Sequence, residues 1–208
     1  MTRIQIRKIE PKDILSLQQF CAECSSAGYK NNSSLFAMKI WAKNDLQEPP
    51  LFWAAFYDDM IISISGCHKF NNALRCLFRS ATLPKYQQLL TGLSKNHMNS
   101  LPFSMILPMQ ICHGLKNNYK EFIITTSDSD DASGKMHRTH KAMQLLAKKH
   151  IVEYLNNEII YDVSQTVWKL NLATYQTALK NFYNTRTDSL VSTDDEVFTF
   201  LNLDLNSQ

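Results

Sequence analysis

The stretch Arg79–Gly92, RSATLPKYQQLLTG, joins the end of a strand-like run to the start of a helix-like run. Upstream, Ala73 to Leu83 alternates: Leu74, Cys76 and Phe78 fall on one face, Arg75, Leu77, Arg79 and Ala81 on the other, and Pro84 closes the strand. Downstream, Tyr86, Leu89, Leu90 and Leu93 recur at helical spacing. A strand leading into a helix N-terminus presents free backbone N–H groups and the positive end of a helix dipole, and together these bind pyrophosphate without a charged side chain.

Working outward, Arg3 to Ile9 alternates as a first strand, and Pro11 stands where a helix start tolerates a missing N–H. Ile14, Leu17, Cys21 and Cys24 then keep helical spacing down to Gly28, a natural stop. A second short helix is expected from about Ser34 to Ala42, closed by Pro49 and Pro50. Three strands follow, Leu51 to Tyr57, Met60 to Phe70 and Ala73 to Leu83. The pairs Asp58-Asp59 and Asn71-Asn72 join them as tight hairpins, because Asp and Asn tolerate positive φ. Lys95 to Lys120, with Pro102, Pro108 and Gly114, reads as a loop and a short helix. Glu121 to Ser127 is an apolar strand, Ser133 to Lys149 a helix, and Val152 to Val163 with Thr166 to Leu170 a closing hairpin. The fold class is α/β, layered as α+β, with a central, mostly antiparallel sheet flanked by helices.

The turn Pro84-Lys85-Tyr86-Gln87-Gln88-Leu89-Leu90-Thr91-Gly92 resembles the acetyl-CoA loop of the GCN5-related N-acetyltransferases (GNAT), which reads roughly P-x-Y-R-G-x-G-x-G. Gln87 and Gly92 fit the pattern. Gln88 and Leu90 stand where that family has glycine, and a side chain there crowds a phosphate. The opening IQIRKIEPKD, with Arg7 and Asp13, is similar to the family's first strand and helix, and the order of elements matches from about Arg3 to Leu170. The resemblance divides the chain into a GNAT-like domain, 1–170, and a C-terminal extension, 171–208.

That resemblance implies acetyl-CoA as cofactor, held by Ala81, Thr82, Leu83, Gln87, Gln88, Leu89, Leu90, Thr91 and Gly92. Backbone N–H groups of Ala81, Thr82 and Leu83 would face the thioester oxygen, and the fourth and fifth strands would splay to admit the thioether arm. It implies an N-acetyltransferase acting on a small-molecule or peptide amine, with Asp128, Asp130 or His68 as the base. Where the family carries a tyrosine acid before a Gly-Phe pair, this chain has Leu146 and His150-Ile151. The other reading is a repurposed module of the same fold, similar to distorted phage base-modifying proteins, that binds nucleic acid or a protein.

At 208 residues and 44% hydrophobic content the chain can bury a core without staples. The absence of a bilayer-length apolar run and of a signal-type opening, with an odd five cysteines, points to a reduced, cytoplasmic protein with no membrane partner. Net charge is +3, but unevenly placed: residues 1–186 hold all 22 Lys and Arg against 14 of the 19 acids, while 187–208 hold only acids. Lys135, Arg138, Lys141, Lys148 and Lys149, with Lys85 and Lys95, make a basic helical surface suited to CoA phosphates or a nucleic acid backbone. Cys21-x-x-Cys24 and His137-x-x-His140 have ligand-like spacing. Both cysteines lie on an apolar stripe, however, and no metal is expected. His140 sits on the apolar side of its helix and reads as a core histidine. In the extension, Tyr175, Leu179 and Phe182 mark a helix, and Val197 to Leu205 alternates like an edge strand through which a homodimer could form.

Overall fold

The computed structural model describes residues 4–28, 51–87, 100–127, 138–160, 162–184 and 200–205. The expected helix from Ser34 to Ala42 lies outside them, as do Asp128, Asp130, Gln88, Leu89, Leu90, Thr91 and Gly92.

Among the described residues the order is β1 (Gln5–Lys8), α1 (Ile14–Ser26), β2 (Leu51–Tyr57), β3 (Met60–Phe70), β4 (Ala73–Thr82), α2 (Leu107–Lys116), β5 (Phe122–Ser127), α3 (Arg138–Ala147), β6 (Val152–Ile160), β7 (Val163–Leu170) and α4 (Leu172–Asn184). The strands form one seven-stranded sheet in the order β1-β2-β3-β4-β5-β7-β6. Every neighbouring pair is antiparallel except β4 and β5. This is the mostly antiparallel, helix-flanked α/β sheet expected from the alternating segments.

Local chemistry explains the N-terminal half. Asp58 and Asp59 both take left-handed φ, +48° and +59°, the requirement of a two-residue turn that matches strand twist. Before α1, a 3-10 turn spans Pro11–Asp13, and the Asp13 carboxylate accepts the Glu10 N–H at 2.9 Å. Arg7 donates to the same carboxylate at 2.6 and 2.7 Å while its guanidinium lies 3.9 Å over the Phe56 ring. The Arg7 hydrogen bond holds the Asp13 carboxyl below its usual range.

Helices cover both faces. On one, α1 buries Leu17, Phe20, Cys21 and Cys24 against Phe52, Phe56 and Ile64. On the other, α2, α3 and α4 bury Ile111, Met143, Tyr175 and Leu179 against Trp53, Leu74, Phe122 and Trp168.

Several expectations are corrected. The segment read as loop and short helix is helical from Pro102: a π-helical turn, Pro102–Ile106, runs straight into α2. Pro108 offers no N–H to the preceding turn. Two hydroxyls of α4 reach carbonyls there, Tyr175 to Phe103 O at 2.5 Å and Tyr183 to Ser104 O at 3.1 Å. Gly114 lets α2 approach the sheet, since a Cβ there would lie 2.4 Å from Phe122 Cε1. Pro84–Tyr86 forms a 3-10 turn, and Leu89, Leu90 and Leu93 of the helix expected there lie outside the described residues. In the closing hairpin, Val163 begins β7 rather than ending β6. Residues 200–202, within the run that alternates like a strand, are helical, and Gln176 of α4 donates to Phe200 O at 2.6 Å and Leu203 O at 2.9 Å. Burial of Phe200 and Leu201 beside Tyr175 outweighs the alternation.

Candidate functional site

β4 and β5 pair for three residues only, Leu74↔Phe122, Arg75↔Ile123 and Cys76↔Ile124. Beyond that point each strand follows its other neighbour, β4 staying on β3 through Thr82↔Ser63 and β5 on β7 through Ser127↔Gln165. The sheet therefore opens as a wedge with its vertex at Cys76 and Ile124. Two irregularities in β4 bend it away. The register with β3 shifts between Ile64 and Gly66 and again between Gly66 and His68, and Leu77 and Arg79 take φ of +54° and +51°. Each extra residue is a bulge that bends the strand and resets its side-chain alternation. Hence Phe78 does not share the Leu74 and Cys76 face, as strict alternation predicts. It packs in the α1 cluster with Ala81.

On the α2 face, a closed set of hydrogen bonds braces the bend. The Leu77 N–H donates to Gln110 Oε1 at 3.0 Å, and Gln110 Nε2 donates to Ser65 Oγ at 3.2 Å. Ser65 and Ser80 hydroxyls lie 2.8 Å apart, and Ser80 Oγ donates back to Leu77 O at 2.9 Å. Gln110 and Ser65 are fully buried, so these bonds replace the ladder partners that the bulge removes.

On the α1 face at the same level sits a buried polar group. Arg75, opposite His68 in the register, donates to Thr125 Oγ1 and, at 2.9 Å, to Gln165 Oε1, which also accepts the Thr125 hydroxyl at 2.7 Å. Its guanidinium lies 5.1 Å from the Phe78 ring centre. His68 Nδ1 lies 2.7 Å from Lys69 O, its ring meets Phe78 edge-on at 4.7 Å, and its buried Nε2 has no hydrogen-bond partner among the described residues. Burial pushes the His68 pKa down to about 4, opposed in part by the hydrogen bond to the Lys69 carbonyl and helped by lesser effects of the Arg75 and Arg79 charges. The imidazole is neutral at physiological pH and holds a proton weakly.

The other expected residues are distributed as follows. Ala81 and Leu83 are buried at the end of β4, and Thr82 shares a 2.8 Å hydrogen bond with Ser63. The Leu83 N–H donates to Ile62 O at 3.0 Å, so that amide belongs to the β3 pairing and faces away from the wedge. Gln87 is exposed, its Nε2 donating to Thr82 O at 3.3 Å. Cys21 and Cys24 lie in the α1 cluster, whereas buried His140 contacts Thr126 and Trp168 on the opposite face, so the sheet separates the two ligand-like pairs. Burial pushes the Cys24 and Cys67 thiols up to about 12, and neither is a ready nucleophile. Lys85 of the expected basic surface lies 3.2 Å from the Glu23 carboxylate. No described helix is long and apolar enough to cross a membrane.

Sequence reasoning missed Gln110, Ser65, Ser80, Arg75, Thr125 and Gln165. A signal was present for some of them: Gln110 interrupts LPMQICHGL and Ser63 and Ser65 interrupt IISISGC, polar residues inside apolar runs that must find buried partners.

No protein-family model matches the chain, and no curated protein matches it in sequence. Solved structures do match it in shape. A GNAT-family acetyltransferase from Staphylococcus aureus Mu50 superposes over 81% of this chain and 99% of its own, with a TM-score of 0.52 and 13% identity. An N-acetyltransferase from the same strain covers 82% of this chain and 98% of its own, with a TM-score of 0.50 and 8% identity. The fold is the GNAT fold.

Proposed function

We propose that this chain of GNAT fold is an acyl-CoA-dependent N-acyltransferase, taking acetyl-CoA as donor and a small-molecule or peptide amine as acceptor. The observation that carries the reading is the wedge between β4 and β5. It is the one parallel junction among the described strands, it parts after three residue pairs, and it leaves two main-chain edges facing each other. Such edges suit an extended arm carrying amides, because each offers N–H and C=O groups at strand spacing.

The donor for a thioester oxygen falls at Leu77, at the vertex of the wedge, in preference to Leu83. Leu77 carries the first amide past the vertex. The donor supplies an activated acyl group, and preorganised N–H donors stabilise charge that develops on its oxygen. His68, with its pKa near 4, accepts an ammonium proton poorly. Ser127, the last residue of β5, marks the open end of the wedge; Asp128, next in sequence, remains with Asp130 the proposed base.

The test is calorimetric binding of acetyl-CoA, followed by thiol release with a panel of amines and peptides. Binding with turnover that falls about 10²-fold in Asp128→Asn supports the reading and that base. Leu90→Gly should tighten donor binding by relieving crowding at the phosphate turn. Absence of both binding and turnover overturns the reading in favour of a repurposed module of the same fold.

A further inference from the structure

We propose that Gln110 is a displaceable cap on the acyl-donor site: its side-chain oxygen holds the Leu77 N–H that the donor's carbonyl takes over on binding. The inference rests on the acyltransferase reading and adds a means by which the site tells an acylated donor from a free thiol.

Three observations converge on it. First, the amide concerned is the first beyond the Cys76↔Ile124 pair, and it belongs to a left-handed residue of the β4 bulge. Second, its substitute acceptor is a side chain from a packed helix, Gln110 Oε1 at 3.0 Å, fully buried. Third, hydrogen counting fixes the direction of the whole ring. Ser80 Oγ–H is spent on Leu77 O, so the Ser65 hydroxyl must donate to Ser80, leaving Ser65 Oγ free to accept Gln110 Nε2. The Gln110 amide orientation then follows, with its oxygen toward Leu77.

A carboxamide oxygen and a thioester oxygen are both neutral sp² acceptors, so one can replace the other at Leu77 with the N–H satisfied throughout. Gln110 keeps its Nε2 bond to Ser65 as an anchor while the oxygen gives way. Negative charge growing on the donor oxygen strengthens its claim on the same N–H, because charge-assisted hydrogen bonds are the stronger kind. Free CoA has no acyl oxygen and leaves the cap in place. The left-handed φ of Leu77 fits this role, since strained residues persist only where their surroundings over-determine them, and here Gln110 and Ser80 hold the N–H and the C=O that flank its Cα. Helix α2 is itself held by the Tyr175 and Tyr183 hydroxyls of α4 on the π-helical turn before it.

The experiment titrates ¹⁵N-labelled wild-type protein with acetyl-CoA and, separately, with CoA. The Leu77 backbone amide and the Gln110 side-chain NH₂ should shift with acetyl-CoA, and the Leu77 amide should stay put with CoA. In Gln110→Ala, the KM for acetyl-CoA should fall about fivefold, the worth of one net hydrogen bond, with CoA affinity unchanged. Gln110→Glu should instead lose about 10²-fold in kcat, because a carboxylate keeps the N–H and repels the growing charge. Acetyl-CoA bound with both Gln110 and Leu77 signals unmoved overturns the cap and leaves the acyltransferase reading standing. Calorimetry showing no acetyl-CoA binding to the wild type removes both. The wild-type titration holds even if a Gln110 variant fails to fold.

Discussion

The two halves of β4 obey different rules. Ala73 to Cys76 is hydrogen-bonded toward β3 on one side and β5 on the other, and its side chains alternate as a strand should. Leu77 to Thr82 pairs with β3 alone, takes two left-handed residues, and satisfies its freed groups with Gln110, Ser65 and Ser80. The first half is core. The second resembles a site: geometry that an ideal ladder would not choose, kept in place by side chains from distant elements.

That contrast can be broken by substitution. Leu74→Ala, in the first half, removes a buried side chain between β4 and α2 and should cost about 3 kcal/mol in denaturant unfolding. A loss below about 1 kcal/mol would mean that the first half is not packed as described.

His68 tests how dry the first half is. Its pKa is near 4 in the fold against about 6.5 when unfolded, so the neutral form is the folded form. Its contribution is fully present above pH 6.5 and is lost as pH falls toward 4, where the unfolded chain binds the proton more readily. Stability should drop by about 2 kcal/mol between pH 7 and pH 4.5 through this group, and His68→Phe, which preserves the ring packing on Phe78, should flatten that part of the profile. A variant with the wild-type pH dependence would show that the imidazole is solvated.

In the second half, Ser80→Ala should cost about 1 kcal/mol, leaving Leu77 O and the Ser65 hydroxyl short of a partner. Its larger effect should fall on donor KM. If its stability loss equals that of Leu74→Ala, the distinction between the halves disappears. The smallest change expected is Arg79→Gly. Relief of the left-handed φ, about 1 kcal/mol, is offset by loss of the guanidinium contact 5.0 Å from the Phe78 ring centre, so the melting temperature should move by no more than about 2 °C.

Much of the sheet around the site was legible from the sequence. Leu51 to Tyr57 and Met60 to Phe70 are strands with the expected bounds, and Asp58-Asp59 makes the turn its φ tolerance predicts. The neighbouring of β4 and β5 followed from element order, and His140 was read as a core histidine, which its contacts with Thr126 and Trp168 bear out. The site was less legible. The resemblance assigns the Leu83 amide to a thioester, but that amide meets Ile62 O of β3. Nothing adjacent in sequence announces a bulge with Leu and Arg at its left-handed positions, where glycine or asparagine is the usual signal.

The sequence by itself determined the layered class, the hairpins and the faces of α1 and α4, because alternation, turn φ and helical spacing are set between residues within a few positions of each other. Only the tertiary structure decided where β4 bends, that Phe78 turns to the α1 face, that the helix runs through Pro102 and Pro108, and that residues 200–202 coil against α4. Each of these depends on a partner far along the chain. Gln110 meets Leu77 across 33 residues and Tyr183 meets Ser104 across 79, and contacts at such separations override local preference because burial of a polar group without its bond costs more than a departure from propensity.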